Sequence, residues 1–260
     1  MNKFLLRALV LASVNVAVLA NAQFRTRNRM DKLEDFDEQK FSWGFYLSGN
    51  RLDYRIVLNP RYGMNNNQNL VTSKESYSFG AGLIAKWRLN DFLDVRLEPG
   101  LQFGQRQLTF NTQSNDQYAA GTLTNDPFIP MKLTDKDKIR DIKTTLIDVP
   151  VLLEFHGNRW YNSRPYVATG VNYIVNLQSN ATSTDDNMQQ VFRSTTHNFA
   201  WSAEMGIQFY FNKFKLTPAV RGTFIMNNEI VADNATTPPY WTSAMSTLHT
   251  RAIFFVLKFE

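Results

Sequence analysis

The stretch LIDVPVLLEF, Leu146 to Phe155, alternates so regularly that it admits only an extended chain. Ile147, Val149, Val151, Leu153 and Phe155 are apolar, and the residues between them include Asp148, Pro150 and Glu154. Successive side chains of a strand point to opposite faces, so this period of two predicts a strand with one apolar and one mixed face. The same alternation recurs in eight segments, near 41–58, 75–89, 92–111, 139–156, 164–178, 197–211, 214–227 and 247–259.

The connections alternate as well. Those near 59–74, 112–138, 179–196 and 228–246 are long and rich in Asn, Thr, Ser and Asp. Between them fall LNDF (89–92), HGNRWYNSR (156–164) and FNKF (211–214), short turns with Asn, Asp and Gly. Long loops on one side and short turns on the other is the pattern of outer-membrane barrels, whose short turns lie in the periplasm. An even strand number brings both termini to that side. No internal repeat is visible, so residues 41–260 read as one domain.

Two closed barrels could carry such strands, one soluble with its apolar face inside, the other in a membrane with that face outside. Size decides between them. An eight-stranded barrel has an interior just wide enough for side chains to fill. Trp87, Phe103, Phe199, Trp201, Phe209, Phe211 and Phe255 would crowd it, whereas Gly80, Gly82, Gly100, Gly104, Gly170 and Gly206 leave room for long charged side chains. The expected fold is therefore all-β, an eight-stranded antiparallel transmembrane β-barrel of the outer membrane. Its apolar face meets outer-membrane lipids, and Trp43, Trp87, Trp160, Tyr161 and Trp241 stand near strand ends as interfacial aromatics. Pro99, Pro150 and Pro218 fall inside strands, where bulges or different strand limits are expected.

The first 22 residues have the layout of a secretory signal peptide. Lys3 and Arg7 precede an apolar run from Ala8 to Leu19, and Ala20 and Ala22 set cleavage before Gln23. Losing Lys3 and Arg7 takes the net charge from +5 to +3, too mild to argue for nucleic acid. The chain has no Cys, hence no disulfide framework. Residues 23–40 carry charge dense enough to read as a flexible periplasmic tail, with a short docking helix using Leu33 and Phe36 as the alternative.

The mixed faces put Lys86, Arg88, Arg96, Glu98, Arg106, Asp148, Glu154, Arg164, Glu204 and Arg221 in the lumen. A lone buried ion costs several kcal/mol, so these charges are expected to pair into a structural network that plugs the barrel, with an ion or proton path as the functional alternative. A wide pore needs about 16 strands or more. Ser246 and His249 could be cast as a hydrolase pair, but adjacency in sequence does not make a triad. TDKDK (134–138) and TDDN (184–187) lack the dense ligand spacing of a Ca²⁺ loop. No catalytic residue, metal site, cofactor or small-molecule substrate is expected.

The segment TTLIDVPVLLEFHGNRWYNSRPYVATGVNYIVNL (144–177), with LDVRLEPGLQF (93–103), resembles a signature of small outer-membrane barrels from Bacteroidota. Within that group the chain is most similar to the PorT family, through Arg159, Asn162, Arg164, Pro165 and Tyr166 of the turn, Asn176-Leu177 after the next strand, and GFYLSGNRLDYRI (44–56). The resemblance implies a component of the type IX secretion system, which exports proteins and supports gliding motility in some species. It implies partners among secretion-system or periplasmic proteins, and carries over no catalytic residue. A structural or adhesive barrel without a secretion role is the rival expectation, and a lipid hydrolase or acyltransferase the more distant one.

Overall fold

Alternation places one face of every strand inward, and hydrogen bonding closes the strands into a ring. The computed structural model describes residues 32–59, 64–65, 68–69, 71–110, 117–120, 129–132, 139–184, 191–233 and 242–260. The signal-peptide residues, including Ala20, Ala22 and Gln23, lie outside the described residues, as do Trp241, TDKDK and all of TDDN except Thr184. The wall consists of β1 (Phe41–Leu58), β2 (Ser76–Arg88, led by Val71–Lys74), β3 (Leu93–Leu97 and Gly100–Phe110), β4 (Ile139–His156), β5 (Ser163–Asn176), β6 (His197–Tyr210), β7 (Lys215–Ile225) and β8 (Met245–Phe259). Each strand pairs antiparallel with its sequence neighbours, and β8 pairs with β1. The ring therefore has no edge to protect. Gln117–Ala120 and Ile129–Lys132 form a separate small hairpin within the second long connection.

The outside is apolar, and the inside holds the buried charges. Trp43, Tyr77, Phe79, Leu83, Met205 and Phe255 are each more than 60% exposed, whereas Arg96, Glu98, Glu154, Lys215 and Lys258 are fully buried. Water would reverse that arrangement, and hydrocarbon favours it. On β6 the outward run from Phe199 to Phe211 covers about 40 Å of strand, or about 30 Å of height at a barrel's usual tilt, enough for an apolar belt. Aromatic pairs knit this belt, with Trp201 stacked on Phe224 at 4.7 Å and Phe45 on Phe259 at 5.0 Å. Beyond it, toward the long loops, the outward residues turn polar at Arg51 and Asp53 of β1, Asp141 and Lys143 of β4, and Arg251 of β8. There the inward residues turn apolar instead. Tyr54, Val71, Leu108, Phe110, Ile142, Met245 and Leu248 form a small core that fills this end.

The prolines produce interruptions rather than bulges. Pro99 divides β3, yet β3 keeps one register against β2 and β4 on both sides of the gap. Pro150, which lacks an N–H, faces Glu98 across that gap, and its carbonyl accepts the Glu98 N–H at 3.2 Å. The two missing donors thus share one weak point. Pro218 likewise leaves the β6–β7 register unchanged. The irregularities lie elsewhere, at Val57/Leu58 of β1 and around Glu75, where Lys74 to Phe79 spans five steps against four from Gln107 to Phe103.

Glycine makes one of the inward contacts possible. Tyr46 of β1 lies across Gly82 of β2, its cross-strand partner, and a Cβ at Gly82 would collide with that ring and with the Pro99 carbonyl. Gly82→Val should therefore lower the stability of the lipid-embedded barrel by about 1–3 kcal/mol. Gly49→Ala, at an open position, should stay within about 0.5 kcal/mol, both read from urea unfolding midpoints.

Candidate functional site

The inward positions meet in a network that crosses the barrel. Glu204 of β6 and Arg221 of β7 are cross-strand partners, and Arg221 Nε donates to Glu204 at 2.7 Å. Arg221 also reaches Glu98, which projects from the gap in β3 on the opposite wall. Lys258 of β8 closes the circuit, 2.6 Å from Glu98 and 2.5 Å from Glu204. The Tyr166 hydroxyl donates to Glu204 at 2.7 Å. Toward the short turns, Arg96 pairs with Glu154 and lies 3.2 Å from Glu260, which Lys215 meets at 2.7 Å. Lys86 pairs with Asp94 at 2.7 Å, and His156 Nε2 lies 3.0 Å from the same carboxylate. Lys86, Arg96, Lys215, Arg221 and Lys258 thus face an equal number of carboxylates, Asp94, Glu98, Glu154, Glu204 and Glu260. Charges this deep are costly unless opposite charges or hydrogen bonds meet them.

The middle of the lumen mixes buried apolar side chains, such as Leu152, Phe254 and Ile225, with hydrogen-bonded polar ones. Asn172 donates to Asp148 at 2.8 Å and accepts from Ser202 at 2.7 Å, while Gln102 accepts from Ser48 and Asn50. Arg106 stands nearer the long loops, bonded to Thr250 and Thr144 and stacked 3.8 Å over Tyr54. Between these layers one cavity, lined by Leu52, Leu146, Ile174 and Phe254 together with Asp148 and Thr250, measures only about 10 Å³. That is at the lower limit for a single water.

Of the expected lumen residues, Lys86, Arg96, Glu98, Arg106, Asp148, Glu154, Glu204 and Arg221 are buried in these layers. Arg88 departs from expectation. It sits where β2 leaves the lumen and pairs with the exposed Asp91 at 2.6 Å. Arg164 lies at the mouth too, anchored to the carbonyls of Gly157 and Asp91 at 2.8 and 2.7 Å. Lys215, Lys258, Glu260, Asp94 and His156 join the network without having been singled out. Carrying the alternation to the last residue of each strand would have found them, because Lys258 and Glu260 flank the outward Phe259. Asp94, Glu154 and His156 could each offer a metal ligand atom within 4.8 Å. Lys86 and Arg96 already neutralise those carboxylates, which makes the set an ion-pair cluster. Ser246 is exposed at the register shift between β1 and β8, and His249 stands opposite Arg55 of β1, so neither joins the buried network.

The short-turn mouth is closed by the segment read as a flexible tail. Residues Glu34–Glu38 form a 3-10 turn that packs across the opening, which corrects that reading for its described part. Arg159 donates to the carbonyls of Lys32 and Leu33, Asn162 accepts the Lys32 N–H at 2.8 Å, and Asp37 accepts from the Tyr210 hydroxyl at 2.8 Å. Short reach and dense complementary charge, rather than apolar area, hold it there. Trp43, Trp87, Trp160 and Tyr161 ring the outside of this end, each more than half exposed.

Two consequences are measurable. Lys258→Met leaves Glu98 and Glu204 with one cation fewer between them, and should cost about 3–5 kcal/mol in urea unfolding. Arg88→Gln, at the mouth, should change stability by less than about 1 kcal/mol. Glu229 lies in the last long connection, buried against Arg106 and accepting the Thr250 N–H, and burial raises its pKa above 4.5. The folded state then binds the proton more tightly than the unfolded chain. That stabilisation is full below about pH 4.5 and is lost as pH rises through the raised value. Glu229→Gln should therefore gain on the wild type as unfolding midpoints are followed from pH 4 to pH 8.

Among solved structures the chain is similar to OprG of Pseudomonas aeruginosa, at 13% identity over 84% of this chain and 93% of that one, with a TM-score of 0.40. It is also similar to neisserial surface protein A, at 10% identity, 85% and 98% coverage and a TM-score of 0.35. Ail, the attachment invasion locus protein of Yersinia pestis solved with the heparin analogue sucrose octasulfate, gives 6%, 85%, 99% and 0.35. Overlaps this loose carry nothing about function. No curated protein matches the chain. The family profile described as outer membrane protein beta-barrel domain matches residues 21–231. With an apolar exterior, a closed eight-stranded wall and that match over most of its length, the chain belongs to the outer membrane protein beta-barrel domain family.

Proposed function

We propose that this barrel is an accessory of type IX secretion that acts through contacts with other proteins, with its termini and short turns in the periplasm. The observation that carries the reading is the filled lumen. With a charge network in one half and an apolar core in the other, the barrel offers no wide passage, so its work belongs to its surfaces. The secretion assignment rests on the likeness to the PorT family. Residues that carry that likeness, Arg159, Asn162 and Arg164, gather at the short-turn mouth, where a periplasmic partner would meet them.

A structural or adhesive role is the second reading, favoured by the strands that extend past the apolar belt and enclose their own core at the long-loop end. Comparative mass spectrometry of culture supernatants separates the two. A clean deletion strain should lose a large set of exported proteins and regain them with the intact gene. An unchanged secretome would sink the secretion reading and leave the second one standing.

A further inference from the structure

The short-turn mouth is built as a receptor before residues 32–38 enter it. Arg159 is fixed by the wall itself, its Nε donating to the Tyr161 carbonyl at 2.7 Å and its guanidinium stacked 3.8 Å over the Tyr210 ring. Arg164 is held by two carbonyls of neighbouring turns, and Lys215 by Glu260. None of these bonds needs the segment that covers the mouth. A cationic and aromatic surface fixed in advance binds a ligand without having to be ordered by it.

The covering segment fits less closely than its receptor. Asp37 approaches Arg159 and Arg164 only to 3.7 and 3.6 Å. The 3-10 turn begins at Leu33 in the left-handed region, φ 54°, with no side-chain cap. A β-carbon makes that conformation costly. Much of what the mouth recognises is generic. Arg159 and Asn162 read backbone carbonyls and an N–H, which any chain supplies. The side-chain recognition reduces to an aromatic ring, Phe36 at 4.9 Å from Lys215 Nζ, followed by a carboxylate, Asp37.

We propose that the short-turn mouth is a docking site for an acidic, aromatic-containing segment of a partner protein, and that residues 32–38 occupy it in the partner's absence. The chain's own strap is then a resident competitor. A tethered segment acts at an effective concentration of order millimolar, which masks the site from weak ligands in solution. The inference does not rest on the secretion assignment, since any partner presenting that chemistry at this face would serve.

The test uses the full chain folded in detergent micelles and a fluorescein-labelled peptide of residues 32–40, KLEDFDEQK, followed by fluorescence anisotropy. The Phe36→Ala/Asp37→Ala double variant loosens the strap without touching the barrel wall, and far-UV circular dichroism checks that the strands are intact. It should bind the peptide about tenfold or more tightly than the wild type, because removing the resident competitor restores the binding-competent fraction. The gain should vanish when Arg159→Gln is added. It should vanish as well with a peptide carrying Glu34→Gln, Asp35→Asn, Asp37→Asn and Glu38→Gln. Equal affinity in wild type and double variant, including no detectable binding in either, would overturn the proposal. Equal binding of the amidated peptide would overturn it as well, by removing the requirement for acid.

Discussion

Closing eight strands into a ring leaves an interior only as wide as the side chains that fill it, and everything else about this molecule follows from that limit. Once the apolar residues face outward, the inward positions must hold whatever remains, and much of that is charged. Neither carboxylates nor cations can stand alone there. Lys258 and Arg221 between Glu98 and Glu204 show the solution, in which each ion is satisfied by residues from more than one strand. Glu98, which reaches the opposite wall, stands beside the interruption of the ladder at Pro99 and Pro150. A local weakness in backbone pairing and a cross-lumen ion network thus occur at the same place.

The two ends of the barrel solve the closure problem differently. At the long-loop end the strands outrun the apolar belt, so their outward residues meet water and their inward ones can pack as an ordinary hydrophobic core. At the short-turn end the strands stop at the belt, and the buried apolar residues there, such as Tyr46, Ile84 and Tyr166, lie among the ion pairs. Closure there falls to ion pairs and to residues 32–38, held by Arg159, Asn162 and Tyr210. A seal made of polar contacts over a small area is weaker than a packed core, which is why the proposed exchange of residues 32–38 is placed at that end.

Much of the wall was legible from alternation alone, because a period of two admits one pleated geometry and the crowding of Trp and Phe leaves one way to face them. The strand limits near Phe41, Ile139 and His197 follow from it. The prolines were legible as irregularities but not by type. Whether a missing N–H produces a bulge or a gap depends on what stands opposite, and Pro150 opposite Glu98 is a fact of register. For residues 32–38 the structure favours the short docking element over the flexible tail. Dense charge argues for solvation until a receptor of opposite sign is placed beside it, and Arg159 and Arg164 come from a turn more than a hundred residues away.

The sequence by itself determined which side chains face inward, since alternation is a local property of each strand. It made a closed wall the expectation, and the pairing of β8 with β1 in the tertiary structure closed it. Only the tertiary structure decided which inward charge meets which. Pairing across a lumen depends on strand stagger and on the depth of each residue, and neither is encoded within any single strand. For the same reason Arg88 and Arg106, both read as lumen charges, end in different surroundings, one partly buried at the mouth beside the exposed Asp91 and the other stacked on Tyr54.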